Sequence, residues 1–237
     1  MSSPIIPKPT IDSLIKLARK TMSEDYQRAI QGKVKLWQWW GEDMQHLRQN
    51  CLPAHLAIIN QVKTLNLGPN PAVVIGELLD ANKELSAKEI ALIKNKSVSG
   101  PGVHDNYHAW IVLDVSDSQS DIIDITGHHF KGVQVPEHYM NNAIAAREGL
   151  RHQPVLTEES DVYSYHANLV KAQVSTGTTE QNRKELIGYL RKFAALQGIS
   201  EEIALGAVGR EALMPTESKG IRSTLKKIRD CLFSRTK

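Results

Sequence analysis

YHAWIVLDV at residues 107–115 and DIIDIT at 121–126, separated by the polar turn SDSQS, decide how this chain folds. In the first run His108, Trp110, Val112 and Asp114 alternate with Ala109, Ile111 and Leu113, which is the two-residue period of a strand. The short polar connection predicts that the two runs pair as an antiparallel hairpin. A side chain near the start of one strand, His108, then stands at the same end of the sheet as one on its neighbour, Asp124.

Upstream, CLPAHLAIINQVKTLNLG begins at Cys51 and carries Leu52, Leu56, Ile59, Val62 and Leu65 at steps of three or four. That spacing predicts a helix. Pro53 is tolerated only in a first turn, and Gly68 followed by Pro69 is a stop signal, so Cys51 is expected at the mouth of the helix. PAVVIGELL, starting at Pro71, is a β-branched run suited to a strand. A weaker helical pattern follows through Ile90 to Ile93, and then a loop from Asn95 to Asn106.

Towards the N-terminus, residues 1 to about 10 contain three prolines and are expected to be extended. Ile11, Leu14, Ile15 and Ala18 then mark a first helix. A second segment from about Asp25 to Leu47 carries Trp37, Trp40 and Met44 as packing residues. Towards the C-terminus, NRKELIGYLRKFAALQGI and IRSTLKKIRDCLF are helical. The expected class is α+β, divided into an N-terminal arm and helices (1–43), a central domain (44–178) and a basic C-terminal helical region (179–237).

The chemistry follows from placing these elements together. A thiol attacks carbonyl carbon as thiolate, and an unperturbed pKa of about 8.5 leaves only a few per cent ionised near neutrality. Unpaired amides and the positive end of a helix dipole favour the anion, and they also receive the oxyanion that develops on the attacked carbonyl. An imidazole must shuttle the proton, and a carboxylate on its far nitrogen fixes its tautomer and orientation. Cys51 at a helix start, His108 on one strand and Asp124 on the next supply nucleophile, base and orienter.

The trio of NC at a helix start, HAWIVLD and IIDIT resembles the papain-like superfamily in its transglutaminase-like and NlpC-type bacterial branches. The resemblance covers roughly Met44 to Phe130 and rests on His108, Ala109, Trp110, Asp124, Ile125 and Thr126. It implies an antiparallel half-barrel with the nucleophile helix packed against it. It also implies a cysteine hydrolase, such as a peptidase or amidase, or a transglutaminase-like acyl transferase. Gln45, six residues before Cys51, has a spacing similar to the oxyanion-hole glutamine of papain, with Gln49 and Asn50 equally polar and nearer. Asn50, Trp110, His128 and His129 are the candidates for lining a substrate cleft, with core packing the plainer reading of Trp110. His55, one turn beyond Cys51, is explained by a surface position on the helix.

No cofactor and no metal are called for. The rival metal reading would gather His104, His108, His128 and His129 with Asp105 or Asp124, but no compact HExxH-like pair fixes two ligands on one helix. Two cysteines, Cys51 and Cys231, make no disulfide framework, so a reducing, cytoplasmic setting is expected. No apolar run approaches membrane-spanning length and no signal peptide is recognisable. The net charge of +3 is carried by the tail: from Arg183 onward 12 Lys/Arg face 6 Asp/Glu, a net of +6, leaving 17 against 20, or −3, before it. The expected ligand is an acyl or peptide-like substrate, with nucleic acid and membrane disfavoured. The alternative is a non-enzymatic papain-like module that binds a protein or nucleic-acid partner through Lys226, Lys227 and Arg229 on the basic C-terminal helices.

Overall fold

A computed structural model of the chain describes residues 6–22, 47, 51–95, 107–127, 139–174 and 180–206. In chain order the elements are α1 (Lys8–Lys20), α2 (Cys51–Thr64), β1 (Ala72–Asp80), α3 (Ala87–Lys94), β2 (His108–Val112), β3 (Ile122–Ile123), α4 (Asn142–Arg147), β4 (Leu150–Leu156), α5 (Glu159–Val174) and α6 (Glu180–Gln197), followed by α7 at 201–206. The four strands form one antiparallel sheet in the order β3-β2-β1-β4. The class is therefore α+β.

The hairpin forms with Ile111 opposite Ile123 and Val112 opposite Ile122. Alternation along β2 sorts its residues as the sequence requires. Ala109 and Ile111 enter the main core, whereas Trp110 packs with Val74 and Ile122 in a separate small cluster. Beyond Ile123 the ladder gives way to a single bridge, in which Asp124 and Met140 exchange both backbone hydrogen bonds at 3.0 and 2.7 Å. The backbone of Asp124 is thus held on both its polar groups.

Helix α2 packs against α1, β1 and β2. Its first six residues, Cys51 to Leu56, are all buried, so the head of this helix hides every face rather than one stripe. Ile58, Ile59 and Val62 continue the buried set, and each apolar side chain of this size taken out of water contributes about 1.5–3 kcal/mol. The expected exposed position of His55 is corrected accordingly: the residue has no accessible surface.

The start of the chain also departs from expectation. Helix α1 begins at Lys8, two residues before the extended arm was due to end, with Pro7 at its N-cap and Pro9 in the first turn. The first-turn amides of a helix have no intrahelical acceptor, so a proline there removes nothing. Ile11, Leu14, Ile15 and Ala18 are buried as their spacing requires. Helix α3 starts with a capping box, Ser86 accepting from the Glu89 amide while Glu89 accepts from the Ser86 amide.

Three elements between the hairpin and α6 were not anticipated: α4, β4 and α5. Asn141 caps α4 by accepting from the Ile144 amide, and Gly149, at a φ of 69°, turns the chain from α4 into β4. β4 then pairs along β1 from Ile75 to Asp80, with an irregularity between Ile75 and Gly76. Residues from Ile11 through Ile75 to Leu205 share one hydrophobic core, so the described parts of the three sequence segments pack as one body. The proposed boundaries near 43 and 178, the tryptophans 37 and 40, and the helix at IRSTLKKIRDCLF lie outside the described residues.

Gly76 sits where β1 and β4 approach most closely. A Cβ there would run into the backbone carbonyl of Gln153 and the Cα of Pro154. Gly76→Ala is expected to lose about 1–3 kcal/mol of stability, as over-packing against backbone does. Urea denaturation checks this, and an unchanged midpoint would show that the strands separate without cost.

Candidate functional site

The centre of the site is the carboxylate of Asp124, which has no accessible surface. Its Oδ1 accepts three hydrogen bonds, from the Thr126 amide at 2.9 Å, the Thr126 hydroxyl at 3.1 Å and the Gly127 amide at 2.7 Å. This local turn comes from the sequence itself, an Asp followed two and three residues later by backbone amides. A Cβ on Gly127 would collide with the Asp124 side chain and reach 3.0 Å from the Met140 sulfur, so only glycine lets the backbone close over the carboxylate.

Oδ2 faces the sheet and meets two histidines. His108 Nε2 is 2.6 Å away and His152 Nε2 is 2.8 Å away. His108 comes from β2, as the hairpin requires, and His152 from β4 on the other side of β1. Trp110 lies beneath the pair, roughly stacked on His108 at 5.9 Å and edge-on to His152 at 4.8 Å between ring centroids. At 1% exposure Trp110 lines no open cleft, which corrects that assignment: it packs with Val74 and Ile122 and supports the imidazoles from below.

On the opposite side stands the head of α2. Its residue Cys51 is among the groups that favour the protonated His108 ring, after Asp124. Cys51 is a free thiol and is 9% exposed, and His108 is 5% exposed. With Nε2 of His108 committed to Asp124, Nδ1 is the ring nitrogen left for another partner. Gln45, Asn50, His128 and His129, together with His104 and Asp105 of the rival metal reading, lie outside the described residues.

His55 ties this helix to the acid. Its Nδ1 lies 2.7 Å from the Cys51 carbonyl oxygen, which can only accept, so Nδ1 carries the proton. The Ile125 amide, which can only donate, is 3.0 Å from Nε2, so that nitrogen presents its lone pair. The ring is neutral by its partners. Its 3.7 Å approach to Asp124 Oδ1 is accordingly not an ion pair. One side chain thus links the Cys51 carbonyl to the residue next to Asp124.

The charge states follow from these contacts. Burial alone would lower the pKa of His108, but the Asp124 charge and hydrogen bond, then the Cys51 hydrogen bond and charge, override it and push it up to about 10. Burial likewise works against the Asp124 carboxylate, yet His108 and then His152 hold it well below the usual carboxylate range. His55 is brought down to about 4 by burial, with Asp124 and the Cys51 carbonyl only partly opposing. Burial also lowers His152, against the hydrogen bond and charge of Asp124.

His108, Asp124 and His152 have the donor types of a metal site, with ligand atoms all within 4.8 Å of one another. Their spacing is that of hydrogen bonds, however. A tetrahedral zinc with bonds of about 2.0–2.1 Å sets its ligand atoms roughly 3.3 Å apart, well beyond 2.6 and 2.8 Å. Metal-bound imidazoles also donate their second N–H to an acceptor, whereas His152 Nδ1 is buried without a partner among the described residues.

No family model, curated protein or solved structure matches this chain. Among the described residues no helix is long and apolar enough to cross a membrane.

The histidines make stability depend on pH in both directions. His55, and His166 brought down to about 3 by burial, stay neutral in the fold while the unfolded chain takes up protons below about pH 6.5. Stability should therefore fall as pH drops from about 6.5 through 4, by up to about 1.4 kcal/mol per pH unit for each group. His108 has the opposite sign: its contribution is complete below about pH 6.5 and is lost as pH rises through about 10. Urea midpoints measured from pH 4 to 10 should peak near pH 6–7, and His108→Gln should flatten the alkaline side; a level profile would contradict these charge states.

Proposed function

We propose that the protein is a thiol-dependent hydrolase or acyl transferase with a papain-like arrangement, acting on an amide, thioester or ester carbonyl. One observation carries this reading: a fully buried carboxylate sits 2.6 Å from His108 Nε2, with Cys51, in the first turn described for α2, among the groups that favour the protonated form of that ring. Cys51, His108 and Asp124 would serve as the nucleophile, base and orienter that covalent acyl chemistry needs.

In this reading Cys51 as thiolate attacks the carbonyl carbon, a C–S bond forms, and the carbonyl electron pair moves to oxygen. Amides of the first turn of α2 are available to that oxyanion, Pro53 excepted because it has no N–H. As the tetrahedral adduct collapses, the bond to the leaving group breaks and His108 delivers its proton to that group. A water or an amine then attacks the thioester, His108 takes its proton, and Cys51 leaves as thiolate. Water gives hydrolysis and an amine gives acyl transfer. Asp124 does not exchange protons: with five donors on its two oxygens it remains an anion and holds the imidazolium in place.

A free thiol nucleophile works in a reducing compartment, and a cytoplasmic setting belongs to the same reading. An acyl or peptide-like substrate would enter beside Cys51, with His108 buried behind it.

Cys51→Ala and His108→Ala are each expected to lower turnover of an activated acyl ester at least about 10³-fold, with circular dichroism unchanged. Asp124→Asn should cost a comparable factor through loss of the imidazolium's counter-charge. Turnover that survives Cys51→Ala rules the thiol mechanism out, and chelator-sensitive activity with stoichiometric zinc would direct attention to a metal mechanism instead.

A further inference from the structure

His152 is not needed to complete a Cys-His-Asp constellation, yet the fold delivers it to the same oxygen as His108. It reaches Asp124 from β4, two strands away from β2, and its side chain is 3% exposed. The shared oxygen, Oδ2, carries a single negative charge that cannot balance two imidazolium ions in a buried site. Beyond Asp124, His108 has a further group, Cys51, that favours its protonated form. His152 has none: its Nδ1 is buried with no hydrogen-bond partner among the described residues, so a proton added there would be an unsatisfied buried charge. His152 is therefore the neutral ring, with its proton on Nε2.

We infer that His152 is a positioning residue of the thiol site, a neutral Nε2–H donor that occupies half of Asp124 Oδ2 and limits how tightly that oxygen holds His108. This rests on the acyl-transfer reading above. A carboxylate that accepts more hydrogen bonds is a weaker base, and its grip on a neighbouring imidazolium weakens with it. The consequence for catalysis is direct, because His108 must surrender its proton to the leaving group, and an imidazolium held too firmly is a poor acid. The carboxylate itself does not swing, since Thr126 and Gly127 fix Oδ1. The titratable groups that bear on His152 are Asp124 and His108, with His55 coupled to all of them.

Selective ¹⁵N labelling of the histidines in the intact protein tests the assignment without any variant. His152 should show the Nε2–H neutral tautomer unchanged from pH 5 to 8, and a His152 that titrates in that range overturns the inference. His152→Phe keeps a ring but removes the donor, and should raise the midpoint of the His108 titration by about one pH unit while lowering kcat more than it changes KM. His152→Gln, which retains an N–H donor, should restore both. If His152→Phe folds and leaves the His108 titration and kcat where they were, the residue is merely structural and the inference fails. If His152→Phe does not fold, the labelled wild-type protein and the glutamine variant still decide. Failure of the underlying reading looks different: Cys51 in the wild-type protein would then react with iodoacetamide no faster than an ordinary thiol, and His108→Ala would not change that rate.

Discussion

A single ionised carboxylate without solvent access governs this molecule. Burying Asp124 would cost several kcal/mol if it were left uncompensated, and the fold answers with donors from three directions. Thr126 and Gly127 cap one oxygen from the following turn, while β2 and β4 each bring an imidazole to the other. The sheet order matters for this reason. With β1 between β2 and β4, two strands distant in sequence converge on one atom, and the exchange of backbone hydrogen bonds with Met140 prevents the acid from drifting.

The helix that bears Cys51 is registered to the same point by His55. Its two ring nitrogens face a pure acceptor and a pure donor, so the side chain works as a neutral strut between α2 and the end of β3. Neutrality is what makes it useful there: a charged ring would add a second positive centre, beside His108, around one anion. The four histidines of the described core are thus used in distinct ways. His108 is charged, His152 and His55 are neutral with opposite tautomers, and His166 lies stacked on Phe193 at 4.2 Å, away from the carboxylate.

The hairpin, helix α2 and the meeting of His108 with Asp124 were legible in the sequence because each rests on a short-range pattern: strand alternation, a polar turn, and apolar residues at steps of three and four. Other features were hidden for physical reasons. β4 reads LRHQPVL, and Pro154 in its middle argues against a strand, although as the outermost strand of the sheet it tolerates one. His152 was missed with it; the turn at Gly149 followed by Leu150 and Leu156 was the available signal. His55 was read as exposed because helical periodicity assumes one wet face, and the head of α2 has none. Trp110 was offered as a cleft residue on its proximity to His108, whereas the small cluster with Val74 and Ile122 closes over it.

The backbone at Gly127 has a consequence for sequence variation. The hydrogen-bonded turn over the carboxylate leaves no volume between Asp124 and Met140 for even a methyl group, so this position filters which related chains can share the site. A chain with any other residue there must have moved its acid, rebuilt the loop, or abandoned the buried anion. The identity of residue 127 can therefore sort future relatives by whether they keep the charge arrangement, even where Cys51 and His108 are spelled the same.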